Sequence, residues 1–177
     1  PRTPRDLGFY NLLHGDIQIR QAEMAKNAGL FGFCYYYYRF DAKGFMDAPL
    51  QRMLNDPRVD FPFCLMWCNE SWSRAWIGKE RSIIAEQKYS DELDVTFVDE
   101  TVKIFSDPRY IRLGNRPLLV VYRPTFIPNP LTWFSRIKRL YQDRHAMDPI
   151  IALAETDARD DLSALQPEAA VEFVANK

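Results

Sequence analysis

The chain has 177 residues, 47% of them hydrophobic and 14% aromatic, which suits one folded domain with a sizeable core and excludes a disordered or low-complexity chain. The formal net charge is -1 and the Lys and Arg residues are dispersed, so the sequence does not predict binding to nucleic acid or to an anionic membrane. No apolar run reaches the roughly 18 to 20 residues that span a bilayer. We therefore expect a soluble protein, with the cytoplasm as its compartment.

The cysteines and histidines predict neither a disulfide framework nor a metal site. Cys64 and Cys68 are four residues apart in one predicted strand, about 13 Å at roughly 3.3 Å per residue, which is too far for a disulfide bond. We expect both to be core thiols. His14 and His145 stand alone, without the neighbouring ligands that a zinc site needs. The sequence therefore predicts no metal and no cofactor.

Helical and extended segments alternate through the first half of the chain. A helix is predicted over 16–29, from an Asp that can cap its start to a Gly that ends it. Residues 30–38 are apolar and aromatic over the length of a strand that is covered on both faces. A short helix near 50–54 and a strand over 59–68 repeat the unit.

The same alternation continues in the second half. A Ser can cap a helix that starts after position 90, and a strand is predicted over 116–124. Residues 130–141 carry a helical apolar stripe, and strands are predicted over 149–156 and 169–173. Five strands alternating with four helices indicate a parallel sheet, either an open doubly wound sheet or a barrel.

Two observations favour the barrel. The chain contains neither the G-x-G-x-x-G nor the G-x-x-x-x-G-K-[ST] phosphate-binding sequence, which disfavours a nucleotide-binding open sheet. Polar and aromatic residues follow the carboxyl ends of the strands, where a barrel builds its site. These residues are Tyr38, Arg39, Asn69, Glu70, Tyr122, Arg123, Glu155, Asp157 and Glu172.

We therefore predict an α/β fold of the (β/α)8 TIM-barrel type, present here as an incomplete barrel of about five parallel strands with alternating helices. A complete barrel takes about 250 residues. Residues 1–177 are accordingly expected to form a single domain, a partial catalytic barrel that lacks the first strand and the closing C-terminal units.

The segment from Asn69 to Tyr89 is longer than the usual βα connection of about 2 to 6 residues, which is typical of a functional loop. It begins with Glu70, the candidate general acid or base. Three tryptophans surround it in the sequence: Trp67, Trp72 and Trp76. A carboxyl group among these rings would be partly desolvated, as suits an acid catalyst.

Two interpretations of this segment stay open. In the first, the tryptophan rings stack on the apolar face of a sugar while Asn69 and Arg74 donate hydrogen bonds to its hydroxyls. In the second, Trp67 lies in the core, the other two rings cover a hydrophobic rim, and Glu70 pairs with Arg74 at i, i+4 spacing.

Further candidates come from the ends of the other strands. In the sequence CYYYYRF, Tyr38 and Arg39 are the expected ligand contacts, because the preceding tyrosines alternate into helix packing. Tyr122 and Arg123 are expected to bind substrate in the same way. Two carboxylates, Glu155 and Glu172, lie at the ends of otherwise apolar strands, where they should either pair internally or face the mouth of the barrel.

Several motifs in order resemble the WbsX family, which is described as glycosyltransferases of bacterial surface polysaccharide synthesis. They are LGFYNLL, GFCYYYYRF, FPFCLMWCNESWSRAW, DPRYIRLGNRPLLVVYRP and AAVEF. That family looks related to the endo-α-mannosidase-type barrels of glycoside hydrolase family 99. The resemblance implies a (β/α)8 fold and activity on glycosidic bonds. It also ranks Glu172, in AAVEF, first as the partner of Glu70.

The leading hypothesis is therefore a carbohydrate-active enzyme that cleaves or transfers a glycosyl unit of an oligosaccharide or polysaccharide. Glu70, Glu172 and Glu155 are its candidate catalytic residues. The alternative is a non-catalytic carbohydrate-binding barrel that keeps the aromatic platform without turnover. A metal-dependent barrel hydrolase is disfavoured by the scarcity of His.

Overall fold

The computed structural model describes residues 4–14, 16–40, 44–74, 79–156 and 162–172. Helices and strands alternate along the chain, as the apolar periodicity predicts. The helices are α1 (Ile17–Asn27), α2 (Ala48–Asn55), α3 (Asp91–Phe105) and α4 (Pro130–His145). The strands are β1 (Phe33–Arg39), β2 (Gly44–Phe45), β3 (Phe63–Trp67), β4 (Trp72–Arg74), β5 (Lys79–Ala85), β6 (Arg112–Leu113), β7 (Arg116–Val121), β8 (Ile150–Glu155) and β9 (Ala169–Glu172).

One sheet organises the described structure, with the strand order β2-β1-β3-β7-β8-β9. Strands β1, β3, β7, β8 and β9 pair in parallel, each with its neighbour in this order. Short antiparallel pairs flank them, because β2 pairs with β1 and β6 pairs with β7. The predicted parallel α/β fold is thereby confirmed. All the parallel strands point the same way, so their carboxyl ends form one edge, called the carboxyl edge below.

The two faces of the sheet differ in what covers them. The helix-side face packs against the four helices and forms the larger core, which contains Phe63, Leu65, Val121 and Leu153. The opposite face, called the inner face below, carries a smaller cluster. Its buried members are Met66, Cys68, Val120, Ala152 and Ala154. Burial of apolar surface on the helix-side face therefore supplies most of the hydrophobic stabilisation.

The three cysteines are free thiols. Cys64 and Cys68 are buried, which confirms their prediction as core residues, while Cys34 is exposed. Cys34 and Cys64 are register partners on the neighbouring strands β1 and β3. Cys68 belongs to the cluster on the inner face, where Tyr38 and Tyr122 pack against it.

Helix starts follow the expected cap chemistry in one of two predicted cases. Ser90 has an extended backbone and its side chain accepts a hydrogen bond from the N–H of Leu93, so it caps α3 as predicted. Asp16 precedes α1 but makes no side-chain cap hydrogen bond. Its carboxylate instead lies 3.2 Å from Arg58. Asp16 therefore occupies the predicted N-cap position, while its carboxylate pairs with Arg58 and makes no cap hydrogen bond.

The long segment after β3 has structure of its own. It contains the antiparallel pair β4 and β5, which forms a separate two-stranded sheet. The N–H of Gln87 donates to Ser71 Oγ at 2.9 Å, and the N–H of Lys88 donates to the carbonyl of Phe40. These bonds attach the base of the hairpin to the carboxyl edge.

Among the helices of the described ranges, none has the length and apolar character that crossing a bilayer requires.

Candidate functional site

Glu70 lies on the inner side of the carboxyl edge, beyond the end of β3. Burial raises the pKa of Cys68 to about 12, and the Glu70 carboxylate adds to this shift. Burial likewise raises the pKa of Tyr38 to about 12, with further contributions from Cys68, Tyr36, Glu70 and Tyr122. Glu70 therefore lies near Tyr38 of β1 and near Cys68, the residue after β3, and both of these side chains belong to the inner face.

Arg123 connects Glu70 to two further strand ends. Its Nε lies 3.4 Å from Glu70 Oε2, and its NH1 donates to Thr156 Oγ1 at 2.6 Å. The guanidinium carbon is 5.0 Å from the centre of the Tyr122 ring and 5.5 Å from that of Phe126, within range of a cation–π contact. One arginine after β7 thus joins a carboxylate after β3 to a hydroxyl after β8.

The Glu70 carboxyl group remains accessible in this arrangement. Its side chain is 36% exposed and that of Arg123 is 23% exposed. The sequence predicted a carboxyl group desolvated by surrounding tryptophans, and the structure instead places it beside a guanidinium at an open edge. The side chain of Arg74 lies outside the described residues, so its pairing with Glu70 stays a prediction.

Asn69 is buried and fully engaged with the protein. It is 1% exposed, its Nδ2 donates to the carbonyl of Arg123 at 2.8 Å, and its Oδ1 accepts from the N–H of Arg123 at 2.8 Å. Nδ2 also donates to the Tyr89 hydroxyl at 3.2 Å, and that hydroxyl donates to the Asn69 carbonyl. This placement corrects the expectation that Asn69 donates to a sugar hydroxyl, because both amide hydrogens already have partners.

Aromatic rings form a cluster near the carboxyl end of β1. The rings of Tyr38 and Trp72 meet edge to face, with centres 5.1 Å apart, and Phe40 packs against both. Tyr36 adjoins Tyr38 at 6.3 Å and is 51% exposed. Edge-to-face packing keeps these rings rigid, and partly exposed rigid rings suit stacking on the C–H face of a sugar.

Trp67 faces away from this surface. It is 4% exposed and stacks on Trp133 of α4, with ring centres 5.1 Å apart and planes at 24°. Phe97 of α3 contacts it from the other side at 4.9 Å. The expectation that Trp67 contacts substrate is corrected by this placement, since the ring belongs to the helix-side core. Trp76 lies outside the described residues.

Arg39 also points to the helix side. It is 6% exposed and forms an ion pair with Glu100 of α3, whose other oxygen accepts a hydrogen bond from the Tyr37 hydroxyl at 3.0 Å. The pair lines a cavity of about 540 Å³ between α2 and α3. Arg39 is therefore not part of the cluster around Glu70, although it ends the same strand that carries Tyr38.

The two remaining candidate carboxylates lie side by side at the carboxyl edge. Glu155 and Glu172 are register partners on β8 and β9, and both are exposed. Side chains alternate along a strand, so Glu155 takes the face opposite to that of Ala154, which belongs to the inner cluster. The structure thus brings these two carboxylates together, but on the helix-side face and not on the face of Glu70.

Thr156 and Tyr89 are site residues that the sequence analysis did not select. Thr156 is 2% exposed and accepts from Arg123. A buried hydroxyl at a strand end gives no distinctive signal in one sequence. Tyr89 ends the long segment after β3, and its proximity to Asn69 arises only when the hairpin folds back.

The described strands form a mixed α/β fold on a parallel sheet, with a carboxylate, a guanidinium and aromatic rings near its carboxyl edge. A solved structure described as a "Glycoside hydrolase-like protein" matches with a TM-score of 0.68, covering 95% of this chain and 52% of that chain at 13% sequence identity. At 13% identity, this match shows that the two folds are similar and says nothing about function.

The family model described as "Glycosyltransferase WbsX" matches residues 1–177, and the chain belongs to this family. The family expected from the motifs is thereby confirmed. Similar curated proteins, both named "Uncharacterized protein WxcX", come from two strains of Xanthomonas campestris pv. campestris. Each is 36% identical over 176 residues, which is 99% of this chain and 25% of the relative. The chain spans about a quarter of the length of these curated relatives.

Proposed function

We propose that this chain forms part of the catalytic barrel of an enzyme that cleaves or transfers a glycosyl unit in bacterial surface polysaccharide metabolism. The observation that carries the proposal is the position of Glu70, accessible at the carboxyl edge, beside Arg123 and next to partly exposed aromatic rings. Barrel enzymes place their reacting groups at this edge. Membership of a glycosyltransferase family supports a saccharide as the substrate.

In this proposal Glu70 is the acid/base residue. A carboxyl group at this position can protonate the oxygen that leaves the glycosidic bond and later take a proton from the attacking water or hydroxyl. Arg123 holds one side of the carboxyl group and can stabilise negative charge on the substrate. Tyr38 and Trp72 supply the aromatic surface against which a sugar ring would stack.

We assign the role of second catalytic carboxylate to neither Glu155 nor Glu172. Glycosidases need a partner carboxyl at about 5 to 5.5 Å for retention or about 6.5 to 9.5 Å for inversion. Alternation puts Glu155 and Glu172 on the helix-side face, away from the face of Glu70. The related mannosidase-type barrels imply a further mechanism, in which one carboxylate deprotonates a neighbouring sugar hydroxyl that then attacks internally.

The placement of Glu155 and Glu172 also favours a second candidate function, a carbohydrate-binding barrel without turnover. Binding requires the aromatic rings and Arg123 but no pair of carboxylates on one face. Sugar affinity without release or transfer of a glycosyl unit, measured on the natural full-length protein, would select this function.

The substitution Glu70→Gln tests the enzymatic proposal in the natural full-length protein. The substrates are a panel of 4-nitrophenyl glycosides and of nucleotide sugars with oligosaccharide acceptors. We expect turnover to fall roughly 10²- to 10⁴-fold while sugar binding is kept, because the amide cannot transfer a proton. Glycosyl fluorides, whose leaving group needs little protonation, should lose much less.

Two comparisons complete this experiment. The same change at Glu155 and at Glu172 shows whether either residue is the partner carboxylate. Near-normal turnover by Glu70→Gln on a glycoside that needs protonation would remove Glu70 from the acid/base role.

A further inference from the structure

We infer that Asn69 is a positioning residue that ties the end of β3 to the end of β7 and thereby sets Glu70 against Arg123. The effect of Asn69 on catalysis rests on the function proposed above for Glu70. The contacts of Asn69 within the protein do not depend on that function. The sequence analysis did not predict this role, because it expected Asn69 to donate a hydrogen bond to a sugar hydroxyl.

The side-chain hydrogen bonds of Asn69 continue the pairing of the β3 and β7 segments beyond their last backbone hydrogen bond. The last backbone bond between these strands runs from the N–H of Tyr122 to the carbonyl of Trp67 at 3.0 Å. Beyond it, the chain after β3 turns away toward the hairpin. The side-chain amide of Asn69 then bonds both the N–H and the carbonyl of Arg123 at 2.8 Å. A primary amide offers the same donor and acceptor as a peptide group, so it can continue the pairing where the backbone cannot.

The Tyr89 hydroxyl completes the arrangement from a third segment. It accepts from Asn69 Nδ2 and donates to the Asn69 carbonyl, both at 3.2 Å. Burial raises the pKa of Tyr89, while the hydrogen bond with Asn69 opposes that shift. The two hydrogen bonds of the half-buried Tyr89 hydroxyl therefore hold the Asn69 amide in this orientation. We call this unit of Asn69, Tyr89 and the Arg123 backbone the amide bracket.

The amide bracket controls the geometry of the site because its members adjoin the reacting groups. Glu70 is the next residue after Asn69, and the backbone of Arg123 is the part that Asn69 holds. Only a few covalent bonds therefore separate these hydrogen bonds from Arg123 Nε and Glu70 Oε2, which lie 3.4 Å apart. Displacement of a reacting group by about 1 Å can cost on the order of 10²-fold in rate. Asn69 is 1% exposed, so it acts through its neighbours and not by touching substrate.

The first test is hydrogen exchange in the natural full-length protein, which needs no substrate. Asn69→Ala removes the whole bracket, and Asn69→Leu keeps the branched shape of the side chain but has neither donor nor acceptor. Tyr89→Phe leaves the bonds to Arg123 intact. We expect the Arg123 amide to exchange about 10-fold faster or more in both Asn69 variants, because its acceptor is lost, and to change little in Tyr89→Phe.

The matched control is Tyr141→Phe, which breaks a buried hydrogen bond of 2.6 Å to Thr101 between α3 and α4, away from the carboxyl edge. It should lower global stability without a selective effect on Arg123. If the Arg123 amide exchanges equally in wild type and in both Asn69 variants, the amide bracket does not exist. If Asn69→Ala does not fold, Asn69→Leu decides the result.

The second test is kinetic and uses the glycosides on which the wild type is active. Positioning predicts that Asn69→Leu, which adds no charge beside Glu70, lowers kcat about 10- to 100-fold with KM changed little, and that this loss shrinks in the Glu70→Gln background. Tyr141→Phe should keep kcat. A raised KM with unchanged kcat would make Asn69 a sugar ligand and overturn the inference, as would an equal loss in both backgrounds.

The two tests separate the inference from the proposed function. Faster Arg123 exchange in a protein that turns over no glycoside supports the amide bracket and defeats the enzymatic proposal. Unchanged exchange in a protein whose activity depends on Glu70 defeats the bracket and keeps the enzyme.

Discussion

Arg109 shows how one side chain can complete a helix end that its own backbone leaves open. Its guanidinium donates to the carbonyls of Met53, Leu54, Asp56 and Val59 at 3.0 to 3.1 Å. It also pairs with Asp107 at 2.6 Å, and the side chain is 13% exposed. The last carbonyls of a helix have no partner within the helix, so Arg109 satisfies those of α2. Only a planar fork of donors can reach so many acceptors at once.

We predict that Arg109→Lys lowers the free energy of unfolding by about 2 to 3 kcal/mol, because an ammonium group leaves several buried carbonyls without a donor. Urea unfolding in the natural full-length protein measures the change. The matched control is Arg58→Lys, since Arg58 is 60% exposed and binds surface carboxylates. That change should leave the stability almost unchanged, because ion pairs of an exposed side chain contribute little. Equal losses in the two variants would contradict the assigned role.

At the scale of elements, α3 and α4 are joined by polar contacts as well as apolar ones. Trp133 Nε1 donates to the buried carboxylate of Asp94 at 2.9 Å. Burial raises the pKa of Asp94, against the opposing effects of Trp133 and Arg136. Near the other end of the pair, Asp99 accepts from Arg144 and contacts His145 at 2.7 Å. Such contacts fix the register of two helices whose apolar faces alone would allow sliding.

The Asp99 contacts make a pH-dependent contribution. The hydrogen bond from Arg144, followed by that from His145, lowers the pKa of Asp99 to about 2. A lowered carboxyl pKa stabilises the fold above the ordinary value of about 4, and this contribution is lost as the pH falls toward 2. We predict that Asp99→Asn lowers the free energy of unfolding at pH 6 by less than about 1 kcal/mol, since the pair is partly exposed. This loss should appear as a slightly lower Tm. The Tm difference from wild type should shrink between pH 4 and pH 2. A difference that stays constant over that range would refute the assignment.

The start of β1 depends on a residue without a side chain. A Cβ on Gly32 would lie 2.6 Å from the carbonyl oxygen of Pro62 and 3.0 Å from Ile111 Cδ1. The N–H of Phe33 donates to the same carbonyl at 2.9 Å, so this oxygen cannot retreat without losing the first contact between β1 and β3. Close approach of the backbones, and not an unusual φ, therefore requires glycine here.

We predict that Gly32→Ala destabilises the protein by about 1 to 3 kcal/mol, the usual cost of forcing a methyl group into a packed site. Thermal unfolding measures it. Phe31→Ala is the neighbouring control, because Phe31 is 76% exposed and should be tolerated. Unchanged stability of Gly32→Ala would show that the strands can separate at this point.

At the scale of the whole molecule, the inner face of the sheet is only partly covered by the described residues. Cys34 and Tyr36 are exposed on it, and the five parallel strands leave β9 without a further described neighbour. Apolar inner faces and unpaired strand edges favour association unless something covers them. We propose that other parts of a longer polypeptide complete a barrel over this face.

This proposal predicts the reactivity of a thiol. In the natural full-length protein under native conditions, Cys34 should react with iodoacetamide no faster than the buried Cys64, and both should react quickly after unfolding in urea. Mass spectrometry of the labelled peptides gives the rates. Rapid labelling of native Cys34, at the rate seen in urea, would show that the inner face stays open.

The sequence alone determined the kind and order of the four helices and the five parallel strands, because helical and extended periodicities are local. It also predicted the carboxyl edge as the place of the site, since parallel strands end together. It did not predict the antiparallel strands β2, β4, β5 and β6, because three of them have only two or three residues and β5 lies in the segment that was expected to be a loop. The family followed from several motifs in order, none of which requires a structure.

Only the tertiary structure decided which side chains meet. Strands covered on both faces are apolar throughout, so their sequence carries no alternating signal, and a shift of one residue exchanges the faces. That is why Trp67 and Arg39 belong to the helix-side face while Glu70 lies on the inner one. The pairing of Glu70 with Arg123 and the bonds of Asn69 to the Arg123 backbone join residues more than fifty positions apart. Such contacts depend on the register between β3 and β7, which is a property of the folded sheet and of no single segment.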